Sequence, residues 1–539
     1  MGGKPDRDRG RKAWLLPTLG IAVILQLVVV NAWLRFPSPN ERSHVYQALA
    51  LVDRGALSVD DEVRRFGGME DLASAGGHLY PNKAPGLLPL LVPGAALAHA
   101  LAAGDAGREL TLALVLGRLL ASSVPFLVTV VLLASIARPR DEGSGELAVA
   151  AYALASPALA ASVLAFSHAL TACLLLGAWL ILVEHRAVTV PSAAAAGLLL
   201  GWAAISEYPV VLPGAVVALA VLPRLRARRV VALVIGGAVP LLALALYDVA
   251  CFGSAFSLST GHEASGAFAA VAGHGLFGVS WPTPTGLVGQ LTSPARGLLV
   301  WSPLLLAAPL AWGQTRSGSN RTAAVRIGTV ASLILWVVLA GYPNWHGGWF
   351  PGPRYLLPVL PLLFVAVAAG VERVLARPAG RTMAVLAVVW GWWMVWPVLA
   401  SFPFPPEDFP TPAVTLAIPL LREGIHTPSW LPAGIVLPAM CILAVTALAV
   451  PVALVTRSSG VGERAVAAAL SAALIAASLL VSPPSTWRSR LEMAVIHDVY
   501  AGEGRTGALE RLRQQCQGPA QCAGVAAWIA RRDGAPAGK

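Results

Sequence analysis

Glu41 lies within a turn or two of an apolar run that extends from Ala13 to Leu34, in the stretch RFPSPNERSHVYQALALVDRG (35–55). A carboxylate held where a bilayer meets water is partly desolvated. Its pKa then moves up, toward the range in which it accepts a proton near neutral pH. That is the chemistry of a general base, and the plain alternative is an interfacial charge paired with Arg42. The segment GHLYPNKAPG (77–86) supplies Tyr80 and Lys83. A lysine there can hold a lipid phosphate as a point charge, or can simply snorkel to the interface. Arg296 in LTSPARGLLVWSP and Arg354 in NWHGGWFPGPRY stand at outer ends of apolar runs. The positive-inside rule disfavours arginine there, and a planar guanidinium matches phosphate oxygens bidentately. His346 and the aromatic residues around Arg354 suit a sugar ring, or equally a belt at the headgroups. Asp71, His168 in AFSHALTA and Glu207 in ISEYPV form a second acidic group. Ionisable residues at membrane turns are functional candidates, and this set has the chemistry of a divalent-cation site.

These residues need elements to position them, and the composition dictates which. Of 539 residues, 56% are hydrophobic and 12% charged, with a mean hydropathy of +0.68. Soluble domains carry about 25% charged residues, so this chain has too little polar surface to be soluble. Many runs reach the ~20 apolar residues that cross a bilayer as a helix. The ten-residue alternation of a membrane β-barrel is absent. The net charge of +11 belongs with cytoplasmic loops, which removes it as a sign of nucleic-acid binding.

The expected spans are 13–34, 110–137, 147–166, 168–184, 194–206, 209–223, 229–249, 295–312, 322–341, 354–374, 382–401, 433–455 and 464–482. Basic connections such as RPR, EHR, RLRARR and ARPAGR alternate with acidic, aromatic or proline-rich ones. Placing the basic ones inside gives an all-α polytopic chain of about 13 spans, with the N-terminus inside and the C-terminal tail outside. The apolar segment 84–103, with three prolines, reads as a juxtamembrane or dipping stretch. Four polar stretches then share the outer face: 35–84, 250–294, 341–355 and 402–432. Cys516 and Cys522 lie in the polar tail and would form a disulfide if that tail is external.

The motifs SPNERSHVYQALALVDRG, DLASAGGHLYPNKAPGL, SPARGLLVWSP and WHGGWFPGPRYLLPVLPLL, in that order, resemble bacterial members of the GT-C integral-membrane glycosyltransferases. These are relatives of protein O-mannosyltransferases and of lipid A aminoarabinose transferases. The resemblance covers about residues 13 to 400. It implies a polyprenyl-phosphate-linked sugar donor, membrane lipid contacts, and transfer to an acceptor hydroxyl at the outer face of the plasma membrane. The acceptor is unnamed by the sequence. The family's usual acidic base position falls on Asn40, which cannot take a proton. The expectation therefore passes to Glu41, with Asp71 in reserve. Lys83 matches the phosphate-contacting lysine of the family. Arg296, Arg354, Arg42, His346 and Tyr80 are the further expected contacts to substrate or lipid phosphate.

The expected division is a cytoplasmic N-terminus (1–12), a transmembrane catalytic module (13–401) with its first external loop (35–84), an external loop and final spans (402–482), and an external tail (483–539). Two rival readings exist. A transporter or flippase would carry charged groups at mid-membrane, and here Arg118, Asp248 and Glu372 stand out. A catalytically inactive scaffold is the reading that Asn40 keeps open. Nucleotide-sugar chemistry would call for a Gly-rich phosphate loop on a strand–helix unit, a pattern the sequence does not offer. No cofactor is demanded beyond a possible divalent cation.

Overall fold

The computed structural model describes residues 14–30, 38–136, 143–184, 187–276, 278–313, 320–480, 485–501 and 507–534. The expected N-terminal segment 1–12, both ends of the first span, and Arg35 lie outside the described residues. Helices dominate, as the composition requires. Among the described residues eight helices are long and apolar enough to cross a membrane: Pro85–Ala102, Ala106–Ile136, Ala227–Phe252, Thr322–Leu339, Arg354–Leu375, Pro378–Ala400, Ala433–Thr456 and Val461–Leu480. Shorter apolar helices at Leu15–Val29, His168–Glu184, Val190–Ser206, Tyr208–Arg224, Pro303–Trp312 and Ala413–Arg422 accompany them. Leu241, Leu242 and Leu246 are exposed on one of the long helices, and Ile442 and Val445 on another. Such faces would aggregate in water and are at home in lipid.

Several expected boundaries move, and prolines explain them. The expected span 147–166 is two helices, Ser144–Leu154 and Pro157–Ala161. Pro157 disfavours a helical Ser156, and the Ser156 hydroxyl instead accepts the Ala158 N–H as a cap. The expected span 295–312 has only one α turn, Leu298–Trp301, followed by tighter helix at Pro303–Gly313 with Pro309 inside it. The segment 84–103 is helical throughout, from Pro85 to Ala102, with Pro93 tolerated inside. Glu207, with extended backbone, separates Val190–Ser206 from the turn at Tyr208–Val210.

One feature departs from an all-α reading. Leu72–Ala75 and His78–Pro81 form an antiparallel hairpin that pairs Leu72 with Pro81 and Ala75 with His78. Gly76 and Gly77 turn it, with φ of 59° and 82°, angles that cost a glycine little. Its edge is covered by the segment that follows the Ala227–Phe252 helix. The Ser74 N–H donates to the His262 carbonyl (2.7 Å), and the Ala264 N–H donates to the Leu72 carbonyl (2.9 Å). The hairpin thereby ties the loop 35–84 to the segment 250–294.

Small residues let the spans approach closely. A Cβ on Gly197 would come within 2.0 Å of the Leu233 carbonyl, and one on Gly236 within 2.0 Å of the Ala194 carbonyl. Small-residue contacts of this kind replace the hydrophobic effect as the force between helices in lipid. The tail folds as helices at Trp487–Val495, Ala508–Gln514 and Pro519–Gly534 around a small core that includes Val499, Leu509 and Val525. Cys516 and Cys522 are joined as a disulfide.

Candidate functional site

The helix Pro39–Arg54 begins with proline in its first turn and ends on Gly55 in the left-handed conformation. It carries Glu41 at its start and His44 one turn later. Glu41 is fully buried. Its Oε1 accepts from Arg118 Nε at 2.7 Å and from the Ala165 N–H at 2.8 Å, and its Oε2 accepts from Arg118 NH2 at 2.8 Å. Both carboxylate oxygens are thus committed within the protein. The expected interfacial base is instead half of a buried ion pair that ties this helix to Ala106–Ile136. Its partner is also not the neighbouring Arg42.

Arg42 turns back on its own loop. Nε donates to the Tyr46 hydroxyl at 2.9 Å, and NH2 donates to the Phe66 (2.8 Å) and Gly67 (2.7 Å) carbonyls. Arg296, 1% exposed, does the same elsewhere. It donates to the carbonyls of His346 (3.1 Å), Gly348 (2.8 Å), Pro405 (2.7 Å) and Ala295 (3.1 Å). Neither arginine presents a face to a phosphate, so both expectations are corrected: they brace loops. Tyr80 packs its ring on Phe252, with centroids 5.5 Å apart, in a small apolar cluster with Tyr247 and Cys251.

The other candidates come together. Lys83 Nζ lies 3.1 Å from Asp71 Oδ1, and both side chains are largely enclosed. The adjacent Asn82 donates from Nδ2 to Glu263 Oε2 at 2.6 Å. His44 is buried in the same neighbourhood. Burial first, then the charges of Lys83 and Arg354, push its pKa down to about 3 against the opposing pull of Asp71. His44 is therefore a neutral imidazole at physiological pH. Glu263 moves the other way. Burial raises its carboxyl, and Asn82 and Lys83 only partly restrain it.

Arg354 is linked to this group through its charge, which acts on His44. Its Nε donates to His168 Nε2 at 3.0 Å, and NH1 donates to the Gly347 carbonyl at 3.0 Å. Its guanidinium lies 4.8 Å from the Phe166 ring centroid and 5.5 Å from that of Tyr355. Because His168 Nε2 accepts, Nδ1 carries the proton and donates to Glu207 Oε1 at 2.7 Å. Glu207 Oε1 also accepts from Ser167 (2.9 Å) and Thr171 (3.2 Å). The chain Arg354–His168–Glu207 fixes both the tautomer of the histidine and the aim of the arginine.

The expected divalent-cation set does not assemble as such. Both nitrogens of His168 are used, Arg354 stands beside it, and Asp71 pairs with Lys83. A different group, Asp53, His99 and Glu109, brings its ligand atoms within 4.8 Å of one another. Arg65 already pairs with both of its carboxylates, which closes the network internally.

His346 belongs to a second polar patch. Its Nδ1 lies 4.0 Å from Glu407 Oε1. Arg488 of the tail reaches Glu407 (2.8 Å), Asp408 (2.8 Å) and Glu492 (3.6 Å). Burial and the two neighbouring acids push Glu492 up to about 9. Arg531 reaches Glu70, the residue before Asp71, at 2.9 Å. The tail is thus anchored on the loops that frame the Asp71–Lys83 pair.

Sequence reasoning passed over His44 and Glu263. His44 had a signal, since it stands three residues after Glu41 on the same helix. Glu263 had none beyond its place in the polar stretch 250–294, because its neighbours Asn82 and Lys83 come from the hairpin side.

No family model matches the chain, and no curated protein matches it. Solved structures do. The chain is similar to ArnT from Cupriavidus metallidurans, solved bound to undecaprenyl phosphate, at 16% identity and a TM-score of 0.46, over 86% of this chain and 80% of that one. It is also similar to the archaeal oligosaccharyltransferase AglB from Archaeoglobus fulgidus, solved with an inhibitory peptide and a dolichol-phosphate, at 14% identity and a TM-score of 0.35. That alignment covers 94% of this chain and 60% of AglB. Both neighbours are GT-C glycosyltransferases.

Proposed function

We propose that this chain is a membrane glycosyltransferase that moves a sugar from a polyprenyl-phosphate carrier to an acceptor hydroxyl at the outer face of the plasma membrane. The observation that carries the reading is the Asp71–Lys83 pair, 3.1 Å apart, whose charges act together with that of Arg354 on the buried His44. A proton acceptor and two cations are what such a transfer requires. The acceptor oxygen attacks the anomeric carbon and gives its proton to Asp71. The bond from the anomeric carbon to the phosphate oxygen breaks, with inversion. The departing lipid phosphate takes the bonding pair, and Lys83 and Arg354 stabilise its charge. Asp71 takes the role first expected of Glu41, whose oxygens are occupied by Arg118 and Ala165.

A lysine–carboxylate pair suits this task in the resting state. An incoming phosphate competes for Lys83 and releases Asp71 to meet the acceptor hydroxyl. Arg354 is held by His168 rather than by a carboxylate, so its charge remains available to an anion. The experiment is incubation of membranes containing the protein with a panel of labelled polyprenyl-phosphate sugars. Release of free polyprenyl phosphate with at least one donor is the expected result. Movement of labelled lipid across the membrane without any release would replace this reading with transport.

A further inference from the structure

Asn82 stands between Pro81, the last residue of the hairpin, and Lys83. It is 1% exposed. Its Nδ2 donates to Glu263 Oε2 at 2.6 Å. Among the described residues its Oδ1 has no hydrogen-bond partner, although that atom is buried too. The backbone holds this arrangement. Glu263 lies opposite Ala73 in an antiparallel bridge, flanked by the Ser74–His262 and Ala264–Leu72 hydrogen bonds of 2.7 Å and 2.9 Å. The segment 262–264 therefore adds a short third edge to the hairpin. It brings the Glu263 carboxylate to the open end, from which Asp71 and Lys83 emerge. There the Asn82 N–H reaches the Asp71 carbonyl at 3.5 Å, and Lys83 Nζ lies 3.1 Å from Asp71 Oδ1.

An amide has a donor head and an acceptor head, and a carboxylate takes only the donor head. Glu263 thus turns the Asn82 amide one way and leaves its carbonyl oxygen as an acceptor. Buried acceptors without a donor are rare in folded chains, because their lost hydration is not repaid. What completes this one carries an O–H or N–H and comes from beyond the described residues. On the glycosyl-transfer reading above, on which this inference rests, Lys83 takes the phosphate of the donor. The sugar is bonded to that phosphate, so its hydroxyls come beside the residue next to Lys83. We propose that Asn82 Oδ1 accepts a hydrogen bond from one hydroxyl of the transferred sugar, with Glu263 as the positioning residue that orients the amide. The pair makes the chain select donors that carry that hydroxyl. A site built to hydrogen-bond a hydroxyl rejects a substrate that lacks it, because the protein acceptor is then left buried and unpaired.

The test uses the purified full chain in detergent and a panel of labelled polyprenyl-phosphate hexoses and pentoses, each with its monodeoxy analogues. Release of polyprenyl phosphate gives kcat/KM, and equilibrium binding gives Kd. For a donor that the wild type accepts, loss of one hydroxyl is expected to lower kcat/KM by about 10²-fold, and loss of the others far less. Asn82→Leu keeps the volume and removes the acceptor. It should lose about 10²-fold on the parent donor and treat that donor and the critical deoxy analogue alike. Glu263→Leu should weaken the discrimination by about tenfold. Glu263→Gln, whose Oε1 still accepts from Nδ2, should retain most of it. The two Glu263 variants carry the test if Asn82→Leu does not fold. A discrimination ratio that all three variants share with wild type overturns the proposal, as does a loss uniform over the parent and every deoxy donor. Either result leaves the pair as a brace of the hairpin or a seat for buried water. Wild-type turnover indifferent to every deoxy position overturns it as well, while glycosyl transfer stands. Neither release nor binding of any donor overturns glycosyl transfer, and the role of Asn82 with it.

Discussion

Lys83 Nζ stands 3.1 Å from Asp71 Oδ1, which joins the loop's one lysine to the acid twelve residues before it, across the Leu72–Pro81 hairpin. The two roles assigned to this pair, anion binding and proton acceptance, separate experimentally. Lys83→Met keeps the length of the stem and removes the charge. It is expected to lower affinity for the polyprenyl-phosphate donor and slow transfer by about 10²-fold, since losing a charged contact to a buried anion costs roughly 2–5 kcal/mol. Donor titration of transfer rates checks this. An unchanged KM and kcat would remove Lys83 from phosphate binding.

Arg354 is aimed through His168 and Glu207, with links of 3.0 Å and 2.7 Å. Glu207→Gln preserves shape but weakens the hold on the histidine tautomer. The expected outcome is a rise in donor KM that exceeds any fall in kcat, because a misaimed guanidinium costs binding first. Arg354→Lys should fall further on both, since a point charge cannot reproduce the planar fork. Steady-state kinetics of the two variants side by side decide the point.

Glu41 and Arg118 make a bidentate pair with contacts of 2.7 Å and 2.8 Å. Breaking a buried pair by removing one partner leaves an uncompensated charge and costs about 3–5 kcal/mol. Glu41→Gln is therefore expected to lower Tm markedly. Glu41→Gln combined with Arg118→Met should recover much of that loss. Thermal melts of the two single variants and the double variant supply the coupling energy. A Glu41→Gln protein of full stability and no activity would restore Glu41 to the chemistry and displace Asp71.

Docking of the tail should depend on pH through Glu492. Its folded-state pKa, near 9, lies above its ordinary value of 4.5. The folded protein then binds the extra proton between those values, so stability is greatest below about 4.5 and is lost progressively as pH rises toward 9. Limited proteolysis of the tail should accelerate from pH 6 to pH 9. Glu492→Gln should flatten that dependence. A protease rate independent of pH in the wild-type protein would contradict it.

The parts of the site that were legible in the sequence were those marked by local exceptions. Lys83 stands between a turn and a proline-led helix, and Arg354 sits among glycines and prolines at the start of the Arg354–Leu375 helix. Both violate simple expectations for their neighbourhood, and the charges of both act on the buried His44. His168 and Glu207 were visible as polar residues at turns between apolar runs, and they meet. What was hidden is tertiary. The partner of Glu41 is Arg118, 77 residues away inside an apolar run, so a buried brace looked like a free interfacial acid. Arg296 misled for the same reason, since three of its acceptors are backbone carbonyls 50 to 109 residues away. Hydropathy also overruled proline. The prolines at 157, 303 and 309 were in plain sight, yet long apolar averages read through them as continuous spans. The hairpin at Leu72–Pro81 was hidden because each strand has four residues, too few for alternation to register.

The most direct test of the central claim is turnover of purified Asp71→Asn with a donor that the wild-type chain accepts. The variant keeps the volume and removes the proton acceptor. The account predicts a loss of polyprenyl-phosphate release of about 10²- to 10⁴-fold, with the variant as stable as wild type and still able to bind donor. Release at the wild-type rate by Asp71→Asn would contradict the account, whatever the behaviour of Lys83 and Arg354.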